Sequence, residues 1–126
     1  MLPRLSNVPQ LNNVVSDYLS ELQKQHFEGD IASNYADRLS LATDNSVYQQ
    51  LPQAILFPKS VADVVRITKL ANKEKYLHLT FTPRGGGTGT NGQSINNNII
   101  VDLSRHMTSI LELNIEERWV RVQAGV

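Results

Sequence analysis

The residues best suited to chemistry lie in Thr82-Pro83-Arg84-Gly85-Gly86-Gly87-Thr88-Gly89-Thr90-Asn91-Gly92, which holds five of the seven glycines in the chain. Glycines this close together let successive backbone N–H groups converge with no side chain in the way. Convergent amides form a nest for an anion, most often a phosphate. Thr88, Thr90 and Asn91 add neutral donors, while Arg84 either adds positive charge or braces the loop. The segment therefore suits a diphosphate. The competing reading is a plain turn between strands, although a simple turn needs one or two glycines rather than five.

Other glycine-loop chemistries fit less well. Gly87 to Gly92 satisfies G-x-G-x-x-G, but a dinucleotide fingerprint must open a helix after its strand. Here Gln93 to Asn98 is polar and Ile99 to Leu103 reads as another strand. No Gly-Lys-Ser/Thr follows, against a Walker A loop, and Ser94 stands where a kinase loop carries valine. The absence of cysteine excludes disulfides, thiolate metal sites, iron–sulfur ligation and a cysteine nucleophile within these residues. His26, His78 and His106 form no i,i+4 pair, so no catalytic residue and no metal ligand is assigned. Asp102, at a strand end, is expected to brace a neighbouring loop, the glycine loop in particular, rather than act as a base. Asp44 and Ser46 read first as a turn signature and second as a cofactor contact. Trp119 is expected in the core or against surface that further chain covers.

The elements that must position the loop are legible as patterns. Leu11, Val14, Val15, Tyr18, Leu19 and Leu22 predict an amphipathic helix from about Pro9 to His26, with Ser6 or Asn7 as N-cap and Gly29 as stop. Asp30 is expected to cap a short helix carrying Ile31, Tyr35 and Leu39. Ala54 to Phe57 predicts a buried strand. Ser60 and Asp63 predict a capped helix start, with the helix running to about Lys75. Leu77 to Thr82 predicts a second strand, giving a parallel βαβ unit. Ile99 to Leu103 predicts a third strand, and Thr108 to Leu113 and Arg118 to Gln123 two more. The class is α+β.

Composition narrows the function classes. The 12 basic and 12 acidic residues cancel, so no global field favours nucleic acid or an anionic membrane. No apolar run approaches the roughly 20 residues of a membrane span. A chain without cysteine is compatible with a cytoplasmic setting. The last residues, Ala124-Gly125-Val126, follow a strand with no polar tail, which points to a chain cut short.

Four motifs in order resemble a known family. Arg84 to Gly92 resembles the diphosphate loop of the FAD-linked oxidases of the vanillyl-alcohol oxidase / p-cresol methylhydroxylase (PCMH) type. Pro58-Lys59-Ser60-Val61-Ala62-Asp63-Val64 resembles that family's P-x-S-x-x-D-V entry, and Ile100 to Arg105 its V-D-L-S strand. Val120 to Val126 resembles its V-x-V-x-A-G-V segment. Tyr35 to Leu39 and Thr43 to Tyr48 are similar to segments of large bacterial FAD/iron–sulfur D-2-hydroxyacid dehydrogenases, the D-2-hydroxyglutarate type among them.

The resemblance implies a helical extension over 1–50 and the first part of a PCMH-type FAD-binding domain over 51–126. It implies FAD held through Pro83, Arg84, Gly85, Gly86, Gly87, Thr88, Gly89, Thr90, Asn91 and Gly92. Binding would be non-covalent, because Thr88 stands where some relatives carry a flavin-linked histidine. Asp44, Ser46, Pro58, Gly125 and Val126 are weaker candidates for approach to FAD. The resemblance further implies hydride transfer from a 2-hydroxy acid to FAD in a full-length parent, with room for an iron–sulfur cluster beyond residue 126. By itself the piece is expected to be inactive and to associate into a homodimer or larger assembly. A stand-alone phosphate-binding module and a purely structural domain remain as alternatives.

Overall fold

Short polar side chains set where the helices begin. The fold is seen in a computed structural model that describes residues 10–126. Helix α1 (Asn13–Lys24) starts at Asn12, whose side chain accepts from the Val14 N–H. It begins later than expected, and Ser6, Asn7 and Pro9 lie outside the described residues. It ends at His26, which takes the left-handed conformation with φ of 59°, and not at Gly29. Gly29 is needed for space instead, since a Cβ there would overlap the Phe57 carbonyl and the Phe27 ring.

Asp30 caps nothing. It opens β1 (Asp30–Ala32), and α2 (Tyr35–Ser40) is capped by Asn34, which accepts from the Asp37 N–H at 2.9 Å. Three residues are too few to display a strand period, so the helical reading of Ile31 had nothing to oppose it.

Strand β2 (Ala54–Phe57) leads into α3 (Val61–Ala71), capped by Ser60 as expected. The helix stops at Ala71 rather than Lys75 because a 3-10 turn, Glu74–Tyr76, intervenes and buries Tyr76. That turn displaces the next strand. Leu77 is exposed, and β3 runs Phe81–Arg84 instead of Leu77 to Thr82. Pro83 and Arg84 are thus strand residues. Proline is tolerated because β3 is an edge strand.

The sheet order is β1-β2-β4-β3, with β4 (Ile99–Asp102) between the two strands of the βαβ unit and parallel to both. Strand β1 pairs antiparallel with β2. Strands β2 and β4 are buried on both sides, as central parallel strands are. Alternate residues divide between two cores. Ala54, Leu56, Ile99 and Val101 pack beneath α1 and α3. Ile55, Phe57 and Ile100 face the opposite way, with Ala32 and Leu41 against them. Among the described residues no helix is long and apolar enough to cross a membrane.

A separate antiparallel hairpin, β5 (Ile110–Asn114) and β6 (Trp119–Val122), completes the α+β fold. Gly125 N–H donates to the Met107 carbonyl at 2.9 Å, tying the hairpin's far end back to the segment after β4. A Cβ at Gly125 would overlap the Leu103 carbonyl, which explains the glycine of the V-x-V-x-A-G-V motif by close backbone approach. Trp119 is not core. It is half-buried on the hairpin and donates through its indole N–H to Glu117 at 2.7 Å.

Asp30 gathers three cations near the carboxyl end of the sheet. His106 Nε2 lies 2.6 Å from it, Arg105 Nη1 3.6 Å and Lys59 Nζ 3.7 Å. The His106 hydrogen bond is the chief reason its carboxyl titrates below the ordinary range. A depressed native value stabilises the fold at pH above about 3.9, the ordinary aspartate value. That stabilisation is lost as pH falls through the lower native value. Asp30→Asn should therefore lower the thermal midpoint at neutral pH, and the gap to wild type should close on acidification below about pH 3.9. Midpoints of both proteins measured across pH 3–7 check this.

Candidate functional site

The glycine loop leaves the carboxyl end of β3 and returns to the start of β4 over residues 85–98 with no ladder pairing. Its backbone amides are the notable feature. Among the described residues, none accepts a hydrogen bond from the N–H groups of residues 85–90. The Asn91 N–H is satisfied by Gln93 Oε1 at 3.0 Å, and the Ile95 N–H reaches the Gly92 carbonyl at 3.4 Å. Gly87 has φ of 67° and Gly92 φ of 74°, a region that costs other residues strain. Unpaired amides on a bent, solvent-facing backbone are free to converge on an anion.

Space beside the loop is uneven. A Cβ at Gly85 would meet nothing within 4 Å, and one at Gly86 only the Thr88 methyl at 3.7 Å. At Gly87 a Cβ would overlap the Arg84 guanidinium, and at Gly89 the Gln93 side chain. The loop is thus open along Gly85 and Gly86 and filled from within at Gly87 and Gly89. Arg84 lies against Gly87, and its Nη1 stands 3.5 Å from the Ser94 carbonyl. This resolves its role toward bracing the loop, with its charge held beside the amides.

Behind the loop, Asn96 fixes the return to the sheet. Its Nδ2 donates to Thr82 Oγ1 at 2.6 Å and to the Ile99 carbonyl at 3.1 Å, while its Oδ1 accepts from the Asn98 N–H. Sequence reading treated Asn96-Asn97-Asn98 as an ordinary polar turn. The buried Asn96 instead ties the last part of the loop to β3 and β4. Asp102 does not brace the glycine loop. Its Oδ1 accepts from the Ser104 N–H and hydroxyl at 2.9 and 2.7 Å, closing the turn after β4.

Asp44 and Ser46 lie beside the loop, as a turn. Asp44 Oδ1 accepts from the Ser46 N–H at 2.9 Å, and Oδ2 accepts from the Ser94 hydroxyl at 2.9 Å. Hydrogen bonding from Ser46 first, and then from Ser94, holds the Asp44 carboxyl below its ordinary range against the opposing effect of desolvation. Pro58 is buried at the end of β2, and Gly125 belongs to the hairpin anchor, so neither adds a donor to the loop. Val126 is exposed. Among the described residues no group of three or more His, Asp or Glu could hold a metal ion.

Comparison with known proteins bears on the same residues. The family described as FAD binding domain matches residues 52–126. The whole chain is 80% identical to part of a D-2-hydroxyglutarate dehydrogenase of Haemophilus influenzae and 58% identical to part of one from Escherichia coli. It spans 12% of the length of each of these relatives. Among solved structures, an alkyldihydroxyacetonephosphate synthase superposes with a TM-score of 0.76 at 19% identity, over 95% of this chain and 24% of that one. A 4-ethylphenol oxidase from Gulosibacter chungangensis gives 0.68 at 18%, over 92% of this chain and 23% of that one. At these identities the likeness is one of fold.

Proposed function

The chain belongs to the FAD binding domain family, and from that premise we propose that Pro83 to Gly92 holds the FAD diphosphate in a flavoprotein that oxidises a D-2-hydroxy acid. The observation that carries the assignment of the loop is the row of amides at residues 85–90 with no acceptor among the described residues. Gly85, Gly86 and Gly87 present their N–H groups to the phosphates, and the hydroxyls of Thr88 and Thr90 add donors at the exposed rim. Arg84 lies against Gly87 and places a positive charge beside the phosphate site without lying in the open space along Gly85 and Gly86. FAD, when bound, supplies the acceptor for a hydride from the substrate carbon. The task of these residues is to hold and orient it.

The substrate class is supported by the D-2-hydroxyglutarate dehydrogenases that the whole chain resembles. Thr88 has no nucleophilic nitrogen or thiolate with which to bond the flavin, so the reading is of non-covalent FAD. An iron–sulfur centre belongs to the reading only with ligands from outside these residues, which contain no cysteine. A cytoplasmic setting belongs to it too. So does self-association of the isolated 126-residue chain, supported by the exposed Ile110, Leu111, Leu113 and Ile115 of the hairpin.

Purification of the complete gene product tests the reading. FAD should be present at about one per polypeptide and released intact by acid, as expected for a non-covalent cofactor. A colourless protein that takes up no added FAD would overturn it.

A further inference from the structure

We infer that Asp44 is a positioning residue for the glycine loop, acting from a segment outside the 52–126 stretch that matches the FAD family. The inference takes its ligand from the FAD reading and its geometry from contacts independent of it.

Residues 42–50 form a closed loop. Gln50 N–H donates to the Ala42 carbonyl at 2.9 Å, and Thr43 bridges Gln49 across the neck. Inside it, Asp44 accepts from the Ser46 N–H, and Ser46 Oγ accepts from the Tyr48 N–H at 3.1 Å. Three contacts join this loop to the glycine loop. Asn45 N–H donates to the Gly87 carbonyl at 3.1 Å. Ser94 hydroxyl donates to Asp44 Oδ2 at 2.9 Å. The Tyr48 ring lies against Gly92, where a Cβ would stand 3.1 Å from Cδ2.

These contacts take hold of the glycine loop at its middle and at its return, and two of them depend on Asp44. Its Oδ1 sets the turn that aims the Asn45 N–H at Gly87, and its Oδ2 anchors Ser94. The carbonyl of Gly87 is thereby fixed on the side of the 42–50 loop, which fixes the attitude of the neighbouring peptide planes. An anion nest needs its N–H vectors held in advance, because disordered donors must be ordered at the moment of binding. Residues 43–50 belong to neither hydrophobic core, so a change at Asp44 acts on the loop more than on the fold.

The test uses the complete gene product and two readouts. One is the FAD dissociation constant. The other is the rate of tryptic cleavage at Arg84–Gly85 in the native apoprotein, which reports loop opening without flavin. Asp44→Ala and Ser94→Ala should each weaken FAD about tenfold and speed cleavage by a similar factor, as the loss of one or two hydrogen bonds would. The double variant should be little worse than either single, because both remove one shared contact. Asp44→Asn should behave like wild type, since an amide keeps the turn acceptor and can donate to the Ser94 hydroxyl.

Unchanged cleavage and affinity in Asp44→Ala would overturn the inference. So would full additivity of the two alanine variants, or faster cleavage with undiminished FAD affinity. If wild type binds no FAD, the cofactor reading falls while the cleavage rates still decide whether Asp44 holds the loop.

Discussion

Asp63→Asn should be the most destabilising single-atom change in the domain, lowering stability by about 3 kcal/mol. Asp63 sits in the first turn of α3 and is fully buried. Oδ1 accepts from the Glu28 N–H and from Arg66 Nη1, both at 3.0 Å, and Oδ2 accepts from the Lys59 N–H at 3.0 Å. Both oxygens therefore face donors. Whichever way an asparagine amide turns, its NH₂ points at a backbone N–H, and a buried donor loses its partner. The residue also joins the chain after α1 to the start of α3, so the damage spreads across two elements. Arg66→Gln should cost under about 1 kcal/mol, because Arg66 is partly exposed and the backbone donors keep Asp63 satisfied. Chemical denaturation of wild type and both variants checks the ranking. Equal losses in the two variants would show that the ion pair, rather than the backbone contacts, gives Asp63 its worth.

Asp63 also shows what a motif can say before a structure exists. The Ser60 and Asp63 spacing announced a helix start, and Ser60 caps it. That the same Asp63 reaches back to Glu28, 35 residues away, has no local signature. The same division runs through the molecule. Ala54 to Phe57 and Ile99 to Asp102 were legible because central parallel strands are apolar throughout. β3 was misplaced by four residues because Leu77 and Leu79 carry strand-like alternation. Tertiary packing decided otherwise, burying Tyr76 against Tyr18 at 5.2 Å between ring centroids. β1 was unreadable because it is a strand only by virtue of pairing with β2.

The candidate site divides in the same way. Clustered glycines advertise unobstructed amides, and the loop has them. The braces do not advertise themselves. Ser94 to Asp44 and His106 to Asp30 are contacts between residues 50 and 76 positions apart, and nothing in either local sequence names its partner. Asp102 was matched to the wrong partner for that reason. A short acidic side chain at a strand end bonds whatever donors come next, and here they are Ser104's own.

The largest functional effect is expected from two methyl groups. Gly85→Ala with Gly86→Ala should weaken FAD binding by about 100-fold or more, the loss of two amide contacts to charged oxygens at about 1.5 kcal/mol each. Neither position has a positive φ, and neither Cβ would touch anything closer than 3.7 Å, so the folded apoprotein has no reason to resist the change. Its thermal midpoint should hold or rise slightly, since alanine restricts the unfolded chain more than glycine does. Gly87→Ala should behave differently. It places a side chain at φ of 67° and into the Arg84 guanidinium, so it should lose about 1–2 kcal/mol of stability along with FAD affinity. Calorimetric titration with FAD, run beside thermal melts of the apoproteins, separates the two patterns. A loop that merely turns the chain predicts wild-type affinity for the Gly85/Gly86 double variant. A loop that cradles phosphates predicts a stable protein that has lost its cofactor, because the methyls stand where the phosphate oxygens must come.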